Sequence, residues 1–537
     1  MRSFITALLS SAVFCCLTPS LSAAENPGQA DLDKAFELRL SAKSLAQMEE
    51  VIVHSRAALK KGLDAENTKF ARGLLAGTLY QRGEALAEAV LEASRPDPRL
   101  PEMRITALDD LTEALENDEN LPQAQLLLGR LELLPGGDLK RARTAFDAAI
   151  KSEAAEPETR SSAYLYRSAL SEKADERLAD LDAAVKANPQ AAQAYRVRAA
   201  LKLSQEKADE AVADFDKALE IEPDHAATYE ARGLALAAQE KWEEAKKSLS
   251  RAVELFPQAS GALLQRGRIS MLAGDHKQAG ADAEAVLKLV PEQPEALLLR
   301  SHARFQSGDA EGALADVDSV LEKLPNAPQG LRTRIAINLS RQKFEPAIVD
   351  LERLVKLEPN EAATSLQLAA LLNTTKRNKP AIELLDRILV RDSRNWRALR
   401  IRADAKLALG LHDEAVADYE AALVIEPKDS GLLNNLAWLL ATSPEAKVRN
   451  GKRSVELAES ACQVTDYKEA HILSTLAAGY AEQGDFKSAI KWINKALEVA
   501  DGEEKESIKK ELASYEAEKP WREKLEESPA EPKPDAK

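Results

Sequence analysis

Residues 189–223 read PQAAQAYRVRAALKLSQEKADEAVADFDKALEIEP, and the proline that closes this segment opens another segment of equal length. Prolines recur in this way at one constant spacing. They are Pro189, Pro223, Pro257, Pro291, Pro325, Pro359 and, after Ser393 at one mark, Pro427. Ahead of the later marks, always by the same interval, stand Ala211, Ala245, Ala279, Ala313, Ala347, Ala381 and Ala415. A period of about 34 residues, held without insertion, indicates a chain of repeated structural units.

Each period predicts a pair of antiparallel helices. Proline lacks a backbone N–H and fixes φ, so it ends a helix or opens the next one. The small residue at the alanine mark lets two helices approach closely. Gly274-Asp275 and Gly308-Asp309 mark the short turn inside a pair. Because one pair cannot bury its own apolar stripe, neighbouring pairs are expected to stack into a continuous core.

Composition agrees with helices and excludes several classes of protein. The 537 residues are 45% hydrophobic, 30% charged and only 4% aromatic, with 22 glycines and 24 prolines. This composition favours helix formers over the aromatic and β-branched residues of strands, so an all-β fold is excluded. The formal net charge of −15 disfavours binding to nucleic acids and to anionic lipid surfaces.

Two units show the residues that carry a family resemblance. They hold Tyr195, Ala199, Ala211, Phe215, Ala218 and Pro223 in the first, and Tyr229, Gly233, Ala245, Leu249, Ala252 and Pro257 in the second. This alternation of large, small and proline positions resembles the tetratricopeptide repeat (TPR) family. The resemblance implies an all-α, right-handed superhelical solenoid of antiparallel helix pairs. It also implies a concave groove, lined by the first helix of each pair, that binds peptides or partner proteins without a cofactor.

The units can be laid out along the chain as about eleven or twelve repeats. We predict a signal peptide at 1–24, an N-terminal capping helix at 25–65 (helical over 31–61), divergent TPR units at 66–189, seven regular units at 190–427, two C-terminal units at 428–500, a capping helix at 501–520 and a disordered tail at 521–537. The first C-terminal unit carries an enlarged turn over 443–452. Irregular terminal units are expected because they cap the stack.

The N-terminus predicts export. Arg2 precedes a mostly apolar run over residues 4–17, and Ser22 and Ala24 supply small residues for cleavage after Ala24. The run is too short to span a membrane, which takes about 20 residues. We therefore expect a bacterial-type exported protein of the periplasm or extracellular space. Cys15 and Cys16 would leave with the signal, so Cys462 would remain as a single thiol, which we interpret as a buried packing residue.

Arginine and aspartate share a second regular pattern. Arginines stand at 198, 232, 266, 300, 334 and 402, and aspartates follow most of them at a constant interval, at 214, 282, 316, 350 and 418. One unit has Leu368 and Leu384 at the two marks, so both charges vanish together, whereas Arg232 faces Ser248. We interpret the pattern as ion pairs between the two helices of a unit. A row of ligand-binding arginines is the alternative.

No pattern indicates an enzyme or a metal site. The six histidines are scattered, with no pair at helical spacing and no nearby cysteine, so a metal site of ordinary spacing is not expected. The phosphate-loop, dinucleotide and serine-hydrolase motifs are missing from the sequence. No long segment outside the repeats remains for a catalytic domain. We expect neither catalysis nor a cofactor.

Helix phase predicts which side chains line the groove. The candidate partner-binding residues are Arg196, Arg268, His302, Arg332, Arg397, Arg400 and Asn434. Arginines predominate at these positions, so the groove should be more basic than the whole protein and suit an acidic peptide segment or a C-terminal carboxylate. The lysine–asparagine pair of the family's chaperone-tail clamp is not found, and Asn434 with Asn435 is the nearest approach.

Three functions stay open at this point. The favoured one is an interaction scaffold or adaptor for a protein or peptide partner, with no nucleic acid and no membrane span. Ordinary solvated helix positions could produce the same groove residues. The second is a self-assembling structural protein of the cell envelope, and the third, a helical enzyme, would need a polar pocket that one sequence cannot reveal.

Overall fold

The computed structural model describes residues 26–523, which contain twenty-seven α-helices and no β-strand. The predicted signal peptide and residues 524–537 of the predicted tail lie outside the described residues. The chain divides into two compact units at residues 273 and 274. The all-α helical repeat solenoid predicted from the sequence is confirmed.

The first unit holds thirteen of the helices in the described range. They are α1 (Gln29–Ser41), α2 (Leu45–Lys61), α3 (Ala65–Leu91), α4 (Leu100–Asn117), α5 (Pro122–Glu132), α6 (Leu139–Lys151), α7 (Pro157–Ser168), α8 (Ala174–Ala187), α9 (Ala192–Ser204), α10 (Ala208–Ile221), α11 (Ala226–Ala237), α12 (Trp242–Leu255) and α13 (Ser260–Leu272). Consecutive helices pack on one another, and alternate helices such as α9 and α11 also touch.

The second unit holds the other fourteen helices of the described range. They are α14 (His276–Leu289), α15 (Pro294–Gln306), α16 (Ala310–Lys323), α17 (Pro328–Ser340), α18 (Phe344–Leu357), α19 (Ala362–Thr374), α20 (Asn378–Arg391), α21 (Trp396–Ala408), α22 (His412–Ile425), α23 (Ser430–Thr442), α24 (Gly451–Val464), α25 (Ala470–Glu482), α26 (Phe486–Val499) and α27 (Gly502–Glu516). Its helices pack in the same way, with contacts between α19 and α21 and between α23 and α25.

The residues at the sequence marks explain this packing. All seven alanines of the series are fully buried, at 0% exposure, so the second helix of each pair can lie close to the first. Pro223 lies between the end of α10 and the start of α11. The turn inside each regular pair places one residue at positive φ, and this residue is glycine at Gly274, Gly308 and Gly410. Glycine adopts this conformation without the steric cost that a Cβ brings.

The N-terminal segment differs from the prediction. The single capping helix expected over 31–61 is wrong, because α1 ends at Ser41 and α2 begins at Leu45. The Ser44 hydroxyl accepts a hydrogen bond from the Gln47 N–H, and the Gln47 side chain accepts one from the Ser44 N–H. This reciprocal cap starts a new helix. The Ser-x-x-Gln pattern formed by Ser44 and Gln47 is typical of such a helix start.

The C-terminal end also departs from the prediction. The enlarged turn is shorter than 443–452, because α24 already begins at Gly451. The described part of the predicted tail, residues 521–523, is packed rather than free. The Glu523 N–H donates to the Thr442 carbonyl over 3.0 Å, the Arg522 guanidinium donates to the Ala441 carbonyl and pairs with Glu482, and Trp521 packs on the core. The expected tail boundary at 521 is therefore too early.

Within residues 26–523, no helix combines the length and the apolar character that crossing a membrane requires.

Candidate functional site

Several arginines of the repeat pattern form ion pairs with two second helices at once. Arg198 on α9 donates from Nε and Nη2 to Asp214 on α10, over 2.8 and 2.6 Å, and from Nη1 to Asp182 on α8, over 2.8 Å. In the second unit, Arg402 binds Asp418 through two bonds of 2.8 and 2.6 Å and Asp386 through one of 2.6 Å. We call these repeated contacts the arginine ladder.

Other members of the ladder follow the same geometry. Arg334 binds Asp350 through two bonds of 2.7 Å and Asp318 through a third of 2.7 Å. Asp350 is 1% exposed, so its charge depends on this arginine. The paired carboxylates also raise the pKa values of Arg198, Arg334 and Arg402 above the usual range. The predicted pairing between the helices of a unit is confirmed for these arginines, which are occupied within the fold.

The irregular units retain the ladder. Arg167, on α7 of the divergent repeats, binds Asp180 on α8 and also binds Asp147 on α6. Arg232, in a regular repeat, has Ser248 where the other repeats carry the paired aspartate, and it binds Asp216 of the preceding repeat over 2.6 Å. The contact to the preceding repeat was not predicted from the sequence. The Asp-x-Asp pattern of Asp214 and Asp216 could have indicated it, because the second aspartate is the one that binds the arginine of the next repeat.

The candidate groove residues of the first unit differ in their surroundings. Arg196, on α9, is half-buried and pairs with Glu222 at the end of α10. Arg268, on α13, is exposed. Part of the predicted positive charge is therefore neutralised inside the fold. The sequence feature that could have indicated this ion pair is Glu222, which directly precedes Pro223.

The second unit holds the other candidates, and two of them are engaged within the fold. Arg332, on α17, pairs with Glu358, which precedes Pro359. The His302 ring lies 3.1 Å from the Thr333 hydroxyl, and desolvation lowers its pKa. His302 is therefore neutral near pH 7 and adds no positive charge.

Arg397 and Arg400, like Arg268, form no ion pair among residues 26–523, and they differ from Arg268 in lying beside an aromatic ring. Their guanidinium carbons lie 4.8 and 5.8 Å from the ring centre of Trp396 on the same helix, α21. Arg397 is exposed and Arg400 is half-buried. Neither arginine has a carboxylate partner within salt-bridge distance among residues 26–523. The aromatic ring holds the two cations at the surface through cation–π attraction.

Asn434 lies in a cavity of about 480 Å³ that the sequence did not reveal. The cavity is lined by residues of α21, α22, α23, α25 and α27, all in the second unit. Its walls include the carboxylates Asp404, Glu504 and Glu511. Of the candidate groove residues, Asn434 is the one that lines this acidic cavity.

Two of these carboxylates are held in place by hydroxyl groups. Asp404 accepts hydrogen bonds from the Tyr419 hydroxyl and, over 3.4 Å, from the Asn435 amide. Glu511 is 5% exposed and accepts a bond of 2.5 Å from the Ser474 hydroxyl. Burial raises the pKa of Asp404, and it raises the pKa of Glu511 to about 7. These groups come from several different helices, so no local motif could bring them together.

The rest of the described chain offers few reactive groups. No cluster of three or more histidine, cysteine, aspartate or glutamate side chains in residues 26–523 has the arrangement of a metal site. Cys462 is fully buried, and burial raises the pKa of its thiol to about 11.

Comparison with known families supports the repeat assignment. The family model for the tetratricopeptide repeat matches residues 172–226, 230–285, 273–328 and 377–430. These segments cover much of the regular region, and they support placing its repeats in the tetratricopeptide repeat family. No curated protein matches the chain.

Solved structures with related folds match parts of the chain. YrrB, described as a TPR protein with an unusual peptide-binding site, is 21% identical, with 34% of this chain and 95% of that chain covered and a TM-score of 0.31. A tetratricopeptide repeat protein from Parabacteroides merdae is 18% identical, with 45% and 96% covered and a TM-score of 0.35. The TPR domain of P58(IPK) is 17% identical, with 65% and 94% covered and a TM-score of 0.26.

Proposed function

We propose that this chain is a non-enzymatic scaffold that binds protein or peptide partners. The binding surface is the groove lined by the first helix of each repeat, and the family match of the central repeats supports this function. Proteins of this family generally mediate protein–protein interactions, and the fold is typically a scaffold rather than an enzyme. The partner's identity is not contained in the fold, because one scaffold can serve many functions.

The observation that carries the proposal is the contrast between two sets of arginines. Ladder arginines such as Arg402 are bound by two carboxylates. Arg397 and Arg400, on the same helix, present their charge beside the Trp396 ring. Arginine and tryptophan together are among the residues most enriched where interfaces gain their binding energy. This patch supports contact with an acidic segment of the partner, as the groove hypothesis predicts.

Cross-linking in the chain's own compartment tests the proposal. The double variant Arg397→Glu and Arg400→Glu should lose the partner proteins that the unaltered chain captures. The matched control is Arg387→Glu with Arg453→Glu, which changes the charge equally at exposed positions on the second helices α20 and α24. Equal capture by the two double variants would reject the groove as the binding surface.

We also propose that the chain is exported by cleavage after Ala24. The apolar run over residues 4–17 and the small residues Ser22 and Ala24 support this. The mass of the protein isolated from the periplasm or the medium should match a chain that begins at Glu25. A cytoplasmic protein that retains Met1 or Arg2 would contradict export.

A second candidate function, self-assembly in the cell envelope, is favoured by one surface feature. Val390 on α20 and Val424 on α22 are 87% and 81% exposed and stand one period apart on second helices. Exposed apolar residues that form one contiguous patch can mark a contact between copies. Sedimentation of the mature chain at micromolar concentration separates the candidates: a monomer favours the adaptor, whereas oligomers that disappear in Val390→Glu, Val424→Glu favour assembly.

A further inference from the structure

The cavity in the second unit has a composition that points to one kind of occupant. Its volume of about 480 Å³ lies within the range of roughly 300–1,000 Å³ that is usual for ligand pockets. The walls combine carboxylates with the apolar surfaces of Leu407, Trp438 and Ile508. His471 is the one lining residue that can become cationic, and its Nδ1 lies 3.9 Å from Glu504. The cavity is therefore acidic and partly apolar.

Three hydroxyl donors on the wall are already in use. The Tyr419 hydroxyl donates to Asp404, the Ser474 hydroxyl donates to Glu511, and the Thr475 hydroxyl donates to the His471 carbonyl over 3.0 Å. Acceptor capacity is left over, because a carboxylate can accept several hydrogen bonds and these accept only one or two.

An unpartnered acceptor gives an independent indication. The Oδ1 atom of Asn434 is buried and accepts no hydrogen bond from residues 26–523, although the Asn434 amide donates to Asn435 over 3.5 Å. A buried acceptor without a donor costs free energy. Asn434 lines the cavity, so an occupant that donates hydrogen bonds would satisfy it.

We propose that the cavity binds a lysine or arginine side chain of a partner peptide, with the cationic group among Asp404, Asn434 and Glu511 and the methylene stem against Trp438. Such a side chain pairs a donor-rich cation with an apolar stem, which matches both kinds of wall. An acidic side chain would add a further negative charge, and a purely apolar one would leave the Asn434 acceptor unsatisfied.

The positively charged residues Arg397 and Arg400 indicate the direction in which the peptide would bind. Arg400 lies one helical turn before Asp404 on α21, and its charge partly offsets that of Asp404. Asp404 nevertheless lines the cavity and Arg400 does not. A peptide with an acidic residue at Arg397 or Arg400 and a basic residue in the cavity would therefore bind in one direction. The inference rests on the proposed function, because it specifies the chemistry of the partner at one point of the same surface.

Selection from a phage-displayed library of random dodecapeptides tests the inference. The full chain is compared with a cavity variant, Asp404→Asn, Glu504→Gln, Glu511→Gln. The matched control is Glu503→Gln, Glu506→Gln, Glu516→Gln, which removes the same number of carboxyl groups at exposed positions of α27 outside the cavity. Far-ultraviolet circular dichroism verifies that all three proteins keep their helical content.

Peptides retained by the full chain and by the control should be enriched in lysine and arginine, and this enrichment should disappear with the cavity variant. The most enriched peptide, synthesised and titrated, should bind the cavity variant roughly tenfold or more weakly and the control within about twofold. Retained peptides without basic enrichment, or enrichment that survives the cavity changes, would overturn the inference and leave the scaffold function standing. A chain that retains no peptide would overturn the inference and count against the scaffold function as well.

Discussion

Asp214 and Asp216 stand in the same Asp-x-Asp stretch of α10 and are bound by arginines of different helices, Asp214 by Arg198 on α9 and Asp216 by Arg232 on α11. One second helix is thereby tied both to the first helix of its own pair and to that of the next pair. The same arrangement recurs with Asp316 and Asp318 in the second unit, bound by Arg300 and Arg334. The arginine ladder therefore links the two helices within a pair and also links one helix pair to the next.

Replacing one residue of a ladder ion pair should lower the free energy of unfolding substantially, whereas replacing both residues by leucine should lower it little. Arg334→Leu leaves Asp350 buried and unpaired, and we expect the free energy of unfolding to fall by about 3 kcal/mol. Arg334→Leu combined with Asp350→Leu should recover most of that loss. The chain itself uses this solution, because Leu368 and Leu384 stand at the corresponding positions and are both buried. Urea unfolding of the two single variants and the double variant measures the coupling, and additive losses would contradict it.

Two glycines of the first unit should respond oppositely to alanine. A Cβ at Gly129 would lie 2.4 Å from the Phe146 ring, whereas a Cβ at Gly77 would meet no atom within 4 Å. We expect Gly129→Ala to lower the free energy of unfolding by about 1–3 kcal/mol and Gly77→Ala, inside α3, to raise it by up to about 1 kcal/mol. Thermal unfolding followed by circular dichroism checks both signs. A gain at Gly129 would show that the α5–α6 contact is looser than described.

The buried Glu511 carboxyl should make stability fall as the pH rises. Burial raises its pKa from 4.5 to about 7, so between these pH values the folded chain holds a proton that the unfolded chain has released. The stabilisation is fully present below about pH 4.5 and is lost as the pH rises through about 7, with a total of at most about 3 kcal/mol. The hydroxyl group of Tyr515 lies beside the Glu511 carboxyl, and the Arg522 guanidinium lies near Tyr515.

Glu511→Gln removes this titration and leaves the neighbouring groups in place. Urea unfolding at pH 5 and at pH 7.5, followed by tryptophan fluorescence, should show the variant gaining stability relative to the unaltered chain at the higher pH. Parallel pH profiles of the two proteins would mean that Glu511 titrates as an exposed carboxyl does.

The Cys462 thiol should be protected from alkylation in the native protein. It is fully buried, and its pKa is raised from 9.0 to about 11, so its thiolate is roughly 100-fold scarcer at pH 8 than that of an unperturbed thiol. In a chain that starts at residue 25, maleimide should react only on unfolding. The variant Cys462→Ser with Ser460→Cys, which moves the thiol to an exposed position on the same helix, should react at once. Equal rates would contradict the burial.

Sequence reasoning predicted the repeat and its internal contacts because those depend on spacing along the chain. The buried alanines from Ala211 to Ala415 and the pairing of Arg198 with Asp214 both follow from the constant period of the repeat. The division of the N-terminal segment at Ser44 was also readable from its capping box. The constant period gives no information there, because this segment lies outside the regular repeats and its helix boundary is set by a local cap.

The candidate site was predicted less well, for a physical reason. Arg196 and Arg332 form ion pairs with glutamates at the end of the helix that follows each of them, and these contacts were not predicted. The acidic cavity joins Asp404 to Glu511, and no period links those positions. It forms because several helices of the second unit bring single residues to one place. Only the three-dimensional packing could show this acidic cavity.

The contacts of residues 521–523 have a consequence for degradation of the chain. A carboxypeptidase digests one residue at a time and needs each new terminus to be free. On reaching Glu523 it would meet a backbone held by the Thr442 carbonyl and a neighbouring arginine held by Ala441 and Glu482. A carboxypeptidase that reaches Glu523 should therefore be slowed there, so that the last helix and the repeats before it are protected.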